Sequence, residues 1–429
     1  MMFAELVLII TLVSEYLDVK DMLYLRLVCK EFTLREYNYL INFNLKKKIV
    51  AITKKTGTVP QFVNNHITKF GRTLNFCCTR GYATPEIRIE RLLKCEKLLR
   101  NIHTLDLTST NVRNVDMFRH VYELILCDTK VTDVSALGGV RILNLSDTPV
   151  ADVGALGKVY DLNLTNTNVT DVSALGGVHI LNLSGTKVTD VLKLGNVHTL
   201  NLEYTRVTDV SALGKVYNLN LQDTKVVDVS ALTDVHKLDL CDTPVTDVSA
   251  LGKVYELDLS FTKVVDVTHL GDVHKLDLSH TEVTDVSALG KVYDLNLTST
   301  EVSDVTHLGN VHKLDLQDTL VTDVSKLGNV HTLYLHNTQV TDVSALGNVH
   351  TLNLHKTKVK DVSALGKVHN LSLSDTKVAD VSALCDVHTL DLTRTKVTDV
   401  SMLQGVKILM VRGINANGFE NLVSTQIIR

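Results

Sequence analysis

TDVSALGNVHTLNLHKTKV, residues 341–359, returns with small changes down most of this 429-residue chain. The Asp before Val marks the period. It stands at 133, 152, 171, 190, 209, 228, 247, 266, 285, 304, 323, 342, 361, 380 and 399, each nineteen residues after the last, and Asn114 holds the slot before the first. A Leu-x-Leu pair keeps the same step from Leu105/Leu107 to Leu390/Leu392 and decays to Leu409/Val411, which makes seventeen laps. So regular a period is the signature of stacked coils, each touching only its neighbours.

Within the quoted lap, Leu352 and Leu354 alternate with Thr351, Asn353 and His355, a period of two that predicts a short strand with one buried face. The stretch KTKVKDVSALG (356–366) turns Val359, Val362 and Leu365 inward, and Val368 opens the next coil. Gly366 reads as a permissive point in the backbone. Nineteen residues are too few for a strand and a full helix, so the return side is expected to be extended or 3₁₀. One lap alone buries too little apolar surface to offset the entropy of ordering it, and stacking must supply the rest.

Composition agrees. The chain is 45% hydrophobic with only 5% aromatic residues and no Trp, which implies a core of small aliphatic side chains. Its 4 Pro, at 60, 85, 149 and 244, argue against long disordered linkers. Seven cysteines (29, 77, 78, 95, 127, 241, 385) are scattered without paired metal spacing, which argues against zinc and for a reducing, cytoplasmic setting. The opening MMFAELVLIITLV lacks a basic flank and a small-residue cleavage site, and Glu15 and Asp18 follow at once. It reads as an amphipathic helix, not a signal peptide, and no later segment is apolar enough to cross a membrane. The net charge of -4 hides an asymmetry: residues 1–100 hold 17 Lys+Arg against 9 Asp+Glu (+8), and the remainder holds 27 against 39 (-12). An acidic array disfavours nucleic acid as its ligand, because phosphate binding needs a positive surface.

The pattern LxLxxTxVxDVSxL resembles the leucine-rich repeat over residues 101–412, with Thr110, Thr129, Thr148 and their successors to Thr395 where Asn is usual. The resemblance implies an α/β repeat solenoid: a leucine-rich-repeat rod with one parallel β-sheet of about seventeen short strands. The Thr hydroxyl is expected to bond neighbouring backbone and so continue a ladder between laps. Tyr217, His236, Tyr255, His274, Tyr293 and His312 alternate in one column, as if a 38-residue pair had been copied.

Three columns invite chemistry. Asp carboxylates stacked about 5 Å apart suggest metal, but each precedes VSxL or a close variant, where its oxygen can cap a tight turn. The His column (103, 179, 198, 236, 274, 312, 331, 350, 369, 388) is interrupted by Tyr122, Tyr160, Tyr217, Tyr255 and Tyr293, with Arg141 and Lys407 in the same slot. That mixture fits an exposed ladder of planar rings better than metal ligands or a pH sensor. On the strand face, Asn or Asp recurs with Ser, Thr or Gln two residues on. No Ser/His/Asp or Cys/His constellation and no phosphate-cradling glycine loop breaks the uniformity, so no catalytic residue, metal, cofactor or small-molecule substrate is expected. Departures from the lap consensus are the candidate partner-binding residues: Glu203, Tyr204, Phe261, Tyr334, His336, His355 and Lys356.

The head reads differently. In VSEYLDVKDMLYLRLVCKEF (13–32) the apolar residues recur at helical spacing, with Asp18 a predicted N-cap, giving a small α-helical N-terminal domain. Its wording resembles an F-box, YLDxKDLLxLRLVCKxF. F-boxes dock on the Skp adaptor of cullin-RING ubiquitin ligases, which implies adaptor-binding roles for Val13, Tyr16, Leu17, Asp18, Asp21, Leu23, Leu25, Val28, Cys29 and Phe32. The near-identical repeats also resemble proteins of large DNA viruses of amoebae. The expected organisation is therefore an F-box-like head (1–45), a linker and N-terminal solenoid cap (46–100) with TLNFCC as a degenerate first strand, the repeats (101–412) and a C-terminal cap (413–429). The expected function is a non-catalytic adaptor, recruiting a ligase through the head and holding a protein partner on the solenoid. The rival is a structural scaffold, such as a virion component, whose head is only a cap.

Overall fold

The computed structural model describes residues 103–429 and, before them, the backbone of two strands, Tyr39–Leu40 and Thr73–Asn75. The F-box-like helices lie outside the described residues. The chain divides into two units, residues 1–201 and 202–429. Each is built by the same rule.

In the first unit eight described strands pair in parallel and in chain order, from Tyr39–Leu40 to Thr199–Asn201. The expected degenerate strand is present: Thr73–Asn75 lies beside Thr104–Asp106, with Leu74 opposite Leu105. In the second unit twelve described strands, from Asn218–Asn220 to Gln426–Ile428, pair the same way. Nearly every step is nineteen residues, as in Leu295 opposite Leu314.

A strand of only three residues follows from the lap's length. Alternation buries Leu352 and Leu354 and leaves Thr351, Asn353 and His355 half-buried, after which the chain must turn at once. Val359, Val362, Leu365 and Val368 complete six buried side chains per lap. Among the described residues the return segments are extended or three-residue 3₁₀ turns such as Ser344–Leu346, and none is an α-helix. The α/β label is therefore corrected for the repeats. They are β and 3₁₀, because nineteen residues cannot hold a strand and an α-helix.

Backbone bonds tie lap to lap beyond the strands. The Leu354 and Lys356 amides donate to the carbonyls of Ser372 and Ser374 at 2.9 and 3.0 Å, and the His350 and Thr351 amides share the His331 carbonyl at 3.0 Å. The Thr column does not form the expected ladder. Thr357 turns back on its own lap, its amide and hydroxyl donating to the Leu354 carbonyl at 3.1 and 2.7 Å. The same hydroxyl bond recurs from Thr129 to Thr395, while the buried Thr110 hydroxyl has no partner. The Thr side chain closes a turn, and the strand backbone joins the laps.

The glycine column also needs a different explanation. Gly366 has φ -60°, a conformation open to any residue, so its backbone freedom is not used. Space is the reason. A Cβ at Gly347 would lie 2.5 Å from the Ala364 carbonyl oxygen of the next lap, inside contact distance. Arg119, Thr233, Cys385 and Gln404 occupy this slot in four laps. The following turn bond stretches to 3.4 Å after Thr233 (Val235 N–H to Leu232 O) and 3.3 Å after Cys385 (Val387 N–H to Leu384 O), and measures 2.9 Å after Arg119 and 3.1 Å after Gln404. Equivalent bonds elsewhere measure about 3.0 Å, as for Val368 to Leu365.

The tail closes the second unit. Gln426–Ile428 pairs with Ile408–Met410, Asn417 bridges to Asp399, and Leu422 is buried.

Three substitutions separate these contributions. Leu295→Ala should cost about 2–5 kcal/mol as a cavity in a fully buried site, and more than Asp285→Ala, which removes an exposed turn bond. Gly347→Ala should cost about 1–3 kcal/mol as overpacking, although alanine ordinarily stabilises a helical turn. Denaturant unfolding of the three variants measures both orders.

Candidate interaction surface

Most polar residues facing outward are engaged in holding turns. In every lap from Asp133 to Asp399 the column aspartate accepts the amide of the residue two further on, as Asp285 Oδ1 does from Ser287 N–H at 2.9 Å. The last strand residue repeats the device. Asn220, Asp239, Asp258, Asp277, Asn296, Asp315, Asn353 and Asp391 each accept the amide two residues on at 2.8–3.0 Å. Both columns are turn supports, so the Asn/Asp pattern on the strand face has a structural cause.

That second turn puts the next-but-two residue in the left-handed region. Positive φ values of 54–59° recur at 109, 128, 147, 166, 204, 223, 242, 261, 280, 299, 318, 337, 356, 375 and 394, with Gly185 and Gly413 in the same column. Asp, Asn, Ser and Gly fill most of these sites, as their short side chains or missing Cβ permit. Tyr204, Phe261, His280, Lys356 and Arg394 are the exceptions; the bulky Tyr204, Phe261, Lys356 and Arg394 are held in a backbone conformation they disfavour.

Three of the seven candidate residues, Tyr204, Phe261 and Lys356, therefore belong to one column and are exposed, with Tyr204 at 56% and Phe261 at 55%. Glu203 is the half-buried neighbour of Tyr204. Tyr334 ends the strand Thr332–Tyr334, and His336 and His355 follow on adjacent laps. The imidazoles of His336 and His355 meet edge-on at 4.4 Å. The structure thus gathers Tyr334, His336, His355 and Lys356 into one cluster, and sets Glu203 and Tyr204 apart from it, with Phe261 between. The ten candidate adaptor-binding residues, Val13 to Phe32, lie outside the described residues.

Several partners of these residues were not legible in the sequence. His280 stacks on Phe261 at 4.3 Å, and His355 Nδ1 lies 2.7 Å from Ser374 Oγ and 3.7 Å from Asp375, which Arg394 also approaches at 3.6 Å. Burial first, and then the neighbouring His355 charge, push the His336 imidazole below 6.5. Tyr204 is raised above 10.0, by the Asp223 charge first, then by burial and by Glu203.

The His/Tyr column stacks as expected. Rings from Tyr217 to His388 in the second unit sit at centroid distances of 4.5–4.7 Å, within 22° of parallel. In the first unit Arg141 lies over Tyr160 at 4.1 Å where a ring is missing. Among the described residues no group of three His, Cys, Asp or Glu side chains is placed to hold a metal ion, and no helix is long and apolar enough to cross a membrane.

No protein-family profile matches the sequence, and no curated protein matches it. Solved structures do match. A leucine-rich-repeat protein of Leptospira interrogans aligns with TM-score 0.61 at 17% identity, over 81% of this chain and 100% of that one. The fold is that of leucine-rich-repeat proteins. The functional domain of InlJ from Listeria monocytogenes, which includes a cysteine ladder, aligns at 0.50 with 23% identity over 69% and 74% of the two chains. The leucine-rich-repeat ectodomain of the Arabidopsis thaliana receptor kinase GASSHO1/SCHENGEN3, in complex with Casparian strip integrity factor 2, aligns at 0.51 with 18% identity. This chain covers 50% of that ectodomain chain, and 76% of this chain is covered.

Acid should unfold the array through the turn carboxylates. Thirteen aspartates of the column, Asp285 among them, sit below the ordinary 3.8 because a backbone amide and a hydroxyl two residues on bond the charged form. A depressed folded value gives stability that is complete above the unfolded value and lost as pH falls through the folded one. Asp161, Asp239 and Asp315 are raised by burial and act in the opposite direction, but they are three against thirteen. The melting temperature should therefore fall steeply below pH about 4, and melts at stepped pH follow it.

Proposed function

We propose that this chain is a non-catalytic protein-interaction adaptor: the repeats hold a protein partner on their strand-side surface, and the head recruits a Skp-type adaptor of a cullin-RING ubiquitin ligase. One observation carries the first half. Bulky side chains stand in left-handed positions that Asp, Asn, Ser and Gly fill in most other laps, and they project outward, away from the core. A conformation held at a cost, on a surface otherwise devoted to turns, points to use. The plant ectodomain that shares this fold was solved with a bound factor, and large ring side chains are favoured anchors at such contacts. The second half rests on the F-box-like wording of residues 13–32.

A separate observation favours the scaffold reading, in which the head is a cap. Tyr39–Leu40 pairs with Thr73–Asn75, which pairs with the first repeat strand, so backbone from within 1–45 joins the sheet. Paired variants distinguish the two. Leu23→Asp with Val28→Asp places charges on the proposed docking face, where desolvating each costs several kcal/mol. Adaptor binding in a pull-down with purified Skp protein should vanish while the circular dichroism and melting of the repeats stay unchanged. Replacing Tyr334, His336 and His355 by Asn or Ser should do the reverse, sparing the adaptor and losing the partner. Unfolding of the repeats by the head variant would make the head a buried cap and remove the ligase reading.

A further inference from the structure

In the second unit the left-handed column runs Tyr204, Asp223, Asp242, Phe261, His280. Backbone bonds continue at this column, from Tyr204 N–H to Gln222 O at 3.1 Å and from Phe261 N–H to Ser279 O at 3.0 Å. The laps therefore keep strand spacing there, and Tyr204 and Phe261 stand about 14 Å apart with two carboxylates between them. The Asp223 carboxylate acts on the Tyr204 hydroxyl, and Phe261 leans on His280 at 4.3 Å, while both rings stay more than half exposed.

The ground beside the rings has one sign. From 202 to 280 the strand-end column, the half-buried column after it and the left-handed column together carry Glu203, Asp223, Asp239, Asp242, Asp258 and Asp277, and neither Lys nor Arg. The nearest basic residues lie outside these columns: Arg206, Lys225 and Lys263 beyond the turn, and Lys237 and Lys275 at the first residue of their strands, Lys237 paired with Glu256 at 3.0 Å. The field is felt locally, since Tyr204 is pushed up by Asp223, and Asp239 by burial and then by Asp258 and Glu203. Exposed rings alternating with carboxylates suit a lysine or guanidinium group, which takes a ring face and a carboxylate together.

We propose that this surface binds a Lys/Arg-rich peptide segment of the protein partner, with Tyr204 and Phe261 receiving its cationic side chains over their faces and Asp223 and Asp242 pairing with them. The inference rests on the reading of the repeats as a protein-binding surface, and it adds the chemistry of what is bound.

The test is fluorescence anisotropy of the full chain with a labelled peptide alternating Lys/Arg with Gly/Ser, against the same peptide with Glu in the basic positions. The basic peptide should bind and the acidic one should not. Asp223→Asn with Asp242→Asn should weaken binding about tenfold or more. Glu282→Gln with Glu301→Gln, the same charge change at exposed sites outside the three columns, should change it less than about twofold. Phe261→Asn should weaken binding and also raise the melting temperature, because Asn tolerates the left-handed backbone. No binding, equal binding of the acidic peptide, or equal loss from both charge pairs would overturn the proposal, the last by reducing it to net charge. A carbodiimide crosslink from residues 1–100 to Asp223 or Asp242 would overturn it in favour of the chain's own basic head. If the Tyr334/His336/His355 variant loses a co-purifying protein while the wild type ignores the basic peptide, this inference falls and the adaptor reading stands. Peptide binding with no co-purifying protein has the opposite meaning.

Discussion

In most laps a backbone carbonyl comes down on the glycine of the lap before it, and the repeat is organised around that close approach. At Gly271, Gly309, Gly328 and Gly347 the space for a Cβ ends 2.5 Å from the oxygen. Laps packed this tightly bring strand amides within 2.8–3.0 Å of the next lap's carbonyls and press six aliphatic side chains per lap into contact with those above and below. Leu and Val suffice for that core, which is why the chain needs so few aromatic residues and no Trp. Stability then sums over neighbouring laps, since no lap reaches further than the next.

The same tight lap determines where function can reside. A three-residue strand followed by an Asx turn forces one residue per lap into the left-handed region, and short polar residues satisfy it in most laps. Polar atoms on the strand face are engaged in the turn, so a partner meets few free groups there. The contact residues must come from positions where the lap breaks its own rule. Tyr204 and Phe261 do so at the turn, and Tyr334, His336 and His355 do so at the strand end.

The repeat fold was legible because its evidence recurs lap after lap: the nineteen-residue step, the Leu alternation and the Asp before VSxL or a close variant each predict local structure that the protein contains. Residue type alone misled at two columns. Glycine suggested a special φ, whereas its φ is ordinary and the neighbouring lap's carbonyl is the cause. Threonine suggested a bond between laps, but its hydroxyl finds its own lap's carbonyl first. Both errors concern how close the laps approach, a distance that no single lap encodes. The candidate surface was half legible. Tyr204 and Phe261 stand out by type, but their shared left-handed column and the pairing of Phe261 with His280 emerge only once the turns are closed. The predominance of Asp, Asn, Ser and Gly in that column was the available signal.

Thr233 offers the most direct measurement of the central claim, that lap-to-lap approach governs this fold. It fills a glycine slot, and the turn bond after it is stretched to 3.4 Å. Glycine in a helical turn ordinarily destabilises by about 0.5–1 kcal/mol through its greater freedom when unfolded. The carbonyl contact requires the opposite sign. Thr233→Gly should raise the melting temperature of the full chain and protect the Val235 amide further against hydrogen exchange. A lowered melting temperature with unchanged exchange would show that glycine's entropy outweighs the contact, and that the laps are not held by this approach.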